Sequence, residues 1–161
     1  MVSPSDLSHR FEADSVGRAL ELVGERWTLL ILREAFFGVR RFGQLARNLN
    51  IPRPTLSSRL RTLVDAGVLA KACYSEDPER YEYRLTDSGR DLFGAIVALM
   101  RWGDKHLPHS SGPPVVLRHH ACGEIADPRL TCAHCGEEIT AHNVTPEAGA
   151  GFRETFTGEK P

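Results

Sequence analysis

Arg41–Gly67 reads RFGQLARNLNIPRPTLSSRLRTLVDAG. Phe42, Leu45 and Leu49 fall at i, i+3 and i+7, an apolar stripe that predicts a short helix over 41–50. Ile51-Pro52-Arg53-Pro54 cannot continue that helix but can start another, Pro54 suiting its first position. Leu56, Leu60, Leu63 and Val64 then predict the buried stripe of a second helix that stops at Gly67. At about 100° per residue, its opposite face presents Thr55, Ser58, Arg61 and Thr62, with Arg59 at the edge. Two short helices across a tight Pro-containing turn make a helix-turn-helix. The plainer alternative, a helical hairpin in a bundle, would show an outer face of mixed sign. Here Arg40 to Arg61 holds Arg40, Arg41, Arg47, Arg53, Arg59 and Arg61 and no acid.

On the C-terminal side, Val68–Tyr74 and Tyr81–Leu85 predict two strands joined by a polar loop, Ser75–Arg80. Tyr81, Tyr83 and Leu85 alternate with Glu82 and Arg84, so one face is expected to be apolar. A hairpin directly after a helix-turn-helix is a wing. Thr86 is expected to cap a long helix with Leu92, Phe93, Ile96, Val97, Leu99, Met100 and Trp102. That stripe is broader than one small domain needs, which predicts burial against a second subunit; packing on its own core alone is the alternative. On the N-terminal side, Ser15 is expected to cap a helix carrying Val16, Ala19, Leu20 and Val23. A second helix is expected from about Glu25, with Trp27, Leu30, Ile31 and Ala35, ending near Gly38.

The whole chain hides this unevenness. It has 161 residues and a net charge of −1, with an apolar fraction of 41% and a charged fraction of 25%, ordinary for a globular protein. Residues 1–112 hold sixteen Lys/Arg against fourteen Asp/Glu, whereas 113–161 hold four against seven. No run of about 18 apolar residues exists to span a membrane, and polar Met1–Phe11 lacks the apolar core of a secretory signal. A cytoplasmic location is therefore expected, where clustered cysteines bind metal or do redox work more often than they form disulfides. Cys73 stands alone, expected to be a packed side chain, with a sensor role the rarer reading. No glycine-rich phosphate loop or nucleophile elbow is present, so no enzyme is expected.

Cys122, Cys132 and Cys135 lie close together with His119: His-x2-Cys, nine residues, Cys-x2-Cys. Two ligand pairs, each followed by glycine (Gly123, Gly136), suit a four-coordinate structural zinc site with ligands His119, Cys122, Cys132 and Cys135. His120 could replace His119. A redox pair at Cys132 and Cys135, or hairpins packed without metal, are the competing readings.

The succession of motifs resembles the HxlR-type winged-helix transcriptional regulators, which are close to the MarR architecture. The matching segments are Gly24–Arg33 (GERWTLLILR), Arg40-Arg41-Phe42, Leu56–Leu60, Leu63–Leu69, Tyr74-Ser75, Pro78–Thr86 and Trp102-Gly103-Asp104. The resemblance implies a homodimer on a short inverted repeat of double-stranded DNA, its recognition helix (about Pro54 to Ala66) in the major groove and its wing near the minor groove. It also implies a small-molecule or redox inducer of unspecified identity. Ser15 stands where many relatives carry a sensor cysteine.

Chemistry then sorts the candidates. Thr55, Ser58, Arg61 and Thr62 suit base edges; Arg40, Arg41, Arg53 and Arg59 suit phosphates; Arg80, at the wing tip, suits a minor-groove or backbone contact. The expected fold is mainly α with a small β-wing: a winged helix-turn-helix domain (1–107), a linker (108–114), a small zinc-ribbon-like β appendage (115–148) and a flexible tail (149–161). The expected function is a sequence-specific repressor. The runner-up is a protein-interaction module that uses the winged helix and the ribbon without specific DNA binding.

Overall fold

In the computed structural model, which describes residues 14–147, Leu56, Leu60 and Leu63 are all fully buried, as the stripe predicts. They lie on α4 (Arg53–Asp65), the fourth of six helices among the described residues. Before it come α1 (Ser15–Val23), α2 (Arg26–Phe36) and α3 (Phe42–Leu49). After it come the strands β1 (Leu69–Glu76) and β2 (Glu79–Leu85), then α5 (Asp87–Asp91) and α6 (Phe93–His106). The chain is thus mainly helical with one two-stranded antiparallel hairpin. It divides between Ala98 and Leu99 into two compact units. The expected tail at 149–161 and the polar Met1–Phe11 segment lie outside the described residues.

Ile31 and Leu32 of α2, Leu45 of α3, the α4 leucines and Leu69 of β1 form the centre of the first unit's core. A buried carboxylate joins two of the helices. Glu34 on α2 accepts hydrogen bonds from Arg33 Nη2 at 2.8 Å and from Asn48 Nδ2 on α3 at 2.7 Å. Burying an acid is tolerated only when its oxygens are met in this way. α3 closes on Asn50, whose φ of 48° places it in the left-handed region that reverses the chain into Ile51 and Pro52. Pro52 caps α4, so Arg53 takes the first helical position and Pro54 the second, one residue later than expected.

Three further details depart from the sequence reading. Asp14, not Ser15, caps α1, its Oδ2 accepting the Gly17 N–H at 3.1 Å. The hairpin strands run to Glu76 and Glu79, leaving only Asp77-Pro78, joined by a cis peptide, in the turn. The long helix after Thr86 is broken at Leu92 into α5 and α6. The start of α5 is fixed by a close approach: Thr86 Oγ1 accepts the Gly89 N–H at 3.1 Å and donates to Val68 O at 3.0 Å. Gly89 thereby comes so near Val68 O that a Cβ there would lie 2.3 Å from that oxygen.

The wing has an extra partner. Arg41 bridges Glu82, and the Tyr83 N–H donates to Arg40 O at 2.8 Å, so the segment entering α3 lies along β2. Glu82, expected on the solvent face, is consequently buried, its Oε1 held by Arg84 Nε at 2.6 Å.

Candidate nucleic-acid interface

With Leu56, Leu60 and Leu63 turned inward, α4 exposes Arg53, Ser58, Arg61 and Thr62. Thr55 is half-buried. The Thr62 hydroxyl donates to Ser58 O at 3.2 Å, which leaves its lone pairs outward as acceptors. Arg61 has no ion-pair partner among the described residues. Arg53 lies over the Phe42 ring at 5.7 Å, and Arg41 over the Tyr74 ring at 4.5 Å. Flat aromatic rings hold both guanidinium groups without consuming their N–H donors. Arg40 is exposed beside Arg41, and Arg80 is exposed at the hairpin end of β2.

Arg59 is placed differently. It is half-buried, and its Nε lies 3.5 Å from Glu25 Oε2. The same carboxylate oxygen accepts the Trp27 N–H at 2.9 Å and caps α2. Arg59 therefore links α4 to the start of α2, a tertiary contact with no counterpart in local sequence. Two exposed residues were given no DNA contact in the sequence reading, although Arg47 was counted in the acid-free basic stretch. Ser57 neighbours Ser58 on α4, and Arg47 lies in the last turn of α3. Their helical phase is the signal that would have found them.

The metal-type residues lie in the second unit, on two chain reversals. His119 Nδ1 and Cys122 Sγ are 3.4 Å apart. The Cys132 thiol is held below its ordinary pKa by the backbone N–H groups of Cys135 and His134 and by the Cys135 thiol. The structure thus forms each pair; among the described residues no three His, Cys, Asp or Glu side chains gather as a metal-holding group. Cys73, on β1, is exposed and not packed as expected, its Sγ donating to Ser75 O at 3.1 Å.

A helix entered across a left-handed turn, an outward polar and cationic face, and a hairpin carrying an arginine at its tip define a winged helix-turn-helix DNA-binding protein. The comparisons agree. The chain belongs to the HxlR-like helix-turn-helix family, which residues 22–111 match. It is 77% identical over 149 residues to the HTH-type transcriptional regulator Rv3095 of Mycobacterium tuberculosis (strain ATCC 25618 / H37Rv), covering 92% of this chain and 94% of that one. To the HTH-type regulator YtcD of Bacillus subtilis (strain 168) it is 35% identical over 94 residues, 58% of this chain and 75% of the relative. Among solved structures, the candidate transcription factor PA1607 superposes with a TM-score of 0.76 at 34% identity, covering 88% of this chain and 99% of its own. No helix of the described residues is long and apolar enough to cross a membrane.

Proposed function

We infer that the chain is a sequence-specific repressor of transcription that binds an inverted-repeat operator as a homodimer, with a zinc-ribbon-like appendage as its C-terminal unit. The observation that carries the DNA reading is the outward face of α4: Ser58, Arg61 and Thr62 are exposed with their hydrogen-bonding groups turned from the core. In the major groove, Arg61 would read guanine through paired donors, and the hydroxyls would meet adjacent base edges. Arg40, Arg41 and Arg53 would hold phosphates and so set register, while Arg80 would reach the backbone or the adjacent minor groove.

Dimerisation is supported by large apolar side chains left in solvent: Val16 and Leu20 on α1, and Phe93, Leu99 and Trp102 on α6. Burying them against a second copy would set two recognition helices on half-sites one helical turn apart, roughly 34–36 Å. Selection of bound duplexes from a random pool, followed by a salt titration of the selected site, tests the reading. A palindromic consensus and an affinity that falls steeply with salt are expected. Absent or salt-insensitive binding would overturn it in favour of a protein-interaction module.

A further inference from the structure

The second unit contains an internal repeat. Leu117–Ala126 (LRHHACGEIA) and Leu130–Ile139 (LTCAHCGEEI) align at an offset of thirteen residues. Their backbones repeat with the sequence. The His119 N–H donates to Glu124 O at 2.9 Å, and the Cys132 N–H to Glu137 O at 2.8 Å. Gly123 and Gly136 donate to His119 O and Cys132 O, both at 2.8 Å; Ala126 and Ile139 donate to Leu117 O and Leu130 O, both at 2.7 Å. The bridges Arg118↔Ile125 and Thr131↔Glu138 are likewise equivalent. Gly123 and Gly136 have φ of 74° and 78°, a conformation that side-chain-bearing residues rarely adopt.

These two reversals are built without an apolar core. Among the described residues of this unit, Leu99 to Glu147, none is buried, and Val115, Val116, Ile125, Leu130 and Val144 remain in solvent. So small a unit needs a staple, and structural metal is one of the few available. The segment between the repeats is already held: Arg101 Nη2 lies 3.0 Å from Asp127 Oδ1, and Arg129 pairs with Asp127 at 3.0 Å and Glu138 at 3.2 Å.

We propose that His119, Cys122, Cys132 and Cys135 bind one zinc ion, each repeat contributing the first and fourth residue of its reversal, and that this ion staples the C-terminal unit. The repeat decides between the histidines. His119 is equivalent to Cys132, whereas His120 is equivalent to Ala133, and His134 to Ala121. The two pairs stand as separate half-sites, since no three of these side chains gather among the described residues; a tetrahedral ion would draw them together, the thiol protons passing to solvent as the thiolates bind. With all four positions filled by protein, the ion is structural and activates no water.

The test uses the full chain, purified under reducing conditions without chelator. About one zinc per chain is expected, and cobalt substitution should give the intense visible bands of a tetrahedral site with three thiolates. Cys135→Ser and His119→Ala should lose the ion; His119→Cys and His120→Ala should keep it. Where a variant fails to fold, the parent chain still decides. Before chelation only Cys73 should react with a thiol reagent and trypsin should spare Arg118 and Arg129; after chelation all four thiols should react and both sites should be cut. Metal-free protein with four equally reactive thiols would overturn the proposal, as would a Cys132–Cys135 disulfide. Loss of zinc from His120→Ala with retention by His119→Ala would overturn the ligand assignment. The inference rests on the ribbon part of the proposed function and not on its DNA part; zinc content is measured without DNA, so its failure removes the ribbon and leaves the operator reading standing.

Discussion

Arg59 gives the sharpest separation between a cation proposed to touch DNA and one that positions α4, the proposed recognition helix. Its Nε faces Glu25 Oε2 at 3.5 Å, with side-chain exposures of 35% and 39%. Solvent reaches both partners, so the pair contributes about 0.5 kcal/mol and no more than about 1 kcal/mol. Replacing Glu25 with Gln keeps a side-chain oxygen for the Trp27 N–H and removes only the charge, whereas Ala would also remove a cap worth about 1 kcal/mol. Glu25→Gln and Arg59→Gln are therefore each expected to lower unfolding free energy by about 0.5 kcal/mol, and the double variant by little more than either alone. On DNA the consequence differs from that of a phosphate contact. Removing a phosphate-bound arginine takes about one unit from the slope of log affinity against log salt. Removing Arg59 should lower affinity modestly and leave that slope unchanged. Chemical denaturation gives the first quantity, and fluorescence anisotropy over a salt series gives the second. A slope reduced by about two units, one for each subunit of a dimer, in Arg59→Gln but not in Glu25→Gln would refute the positioning role and return Arg59 to the phosphates.

Two further outcomes follow from particular contacts. Arg61→Ala should relax the preference at one base pair by about 1–3 kcal/mol, while Arg41→Ala should weaken all duplexes alike and flatten the salt slope by about one unit per contact; competition with selected and random duplexes distinguishes them. Gly89→Ala should destabilise the first unit by about 1–3 kcal/mol in thermal or denaturant unfolding, because the new Cβ would lie 2.3 Å from Val68 O and backbone must move to admit it; an unchanged midpoint would show that the α5 start can shift freely.

What was legible in the sequence was what depends on periodicity. The Leu56/Leu60/Leu63 stripe fixes which face of α4 is inward, and Phe42/Leu45/Leu49 does the same for α3. What was not legible depends on residues distant in the chain. Glu82 reads as a solvent residue in an alternating strand, yet Arg40 and Arg41 lie along β2 and cover it. The helix after Thr86 reads as continuous because its apolar pattern is, yet it breaks at Leu92; its start is anchored on Gly67 O and Val68 O, nineteen and eighteen residues away. Asp14 and Ser15 are adjacent and chemically interchangeable as caps, so sequence could not choose between them. The ion pair that engages Arg59 is equally nonlocal. The repeat in the second unit was visible in the letters alone, but became persuasive only when the same backbone hydrogen bonds recurred at the same offset.

The whole-chain charge of −1 is a poor guide to how this protein meets DNA. Charges separated by more than about 8–10 Å are screened at ordinary ionic strength, so each phosphate responds to the few cations beside it. In the acidic second unit, Asp127 and Glu138 already face Arg101 and Arg129. In the first unit, Glu25 faces Arg59 and Glu82 faces Arg84. Arg40, Arg41, Arg53 and Arg80 remain exposed and without a carboxylate partner among the described residues. If each reaches a phosphate in both subunits of a dimer, about eight counterions are released, and log affinity should fall with log salt at a slope of about −7. Counting Arg59 as well would raise the total to about ten and the slope to about −9. The interval between these values exceeds the uncertainty of a careful salt titration. A parent slope near −7, unchanged in Arg59→Gln, would match four phosphate contacts in each subunit and exclude Arg59 from them.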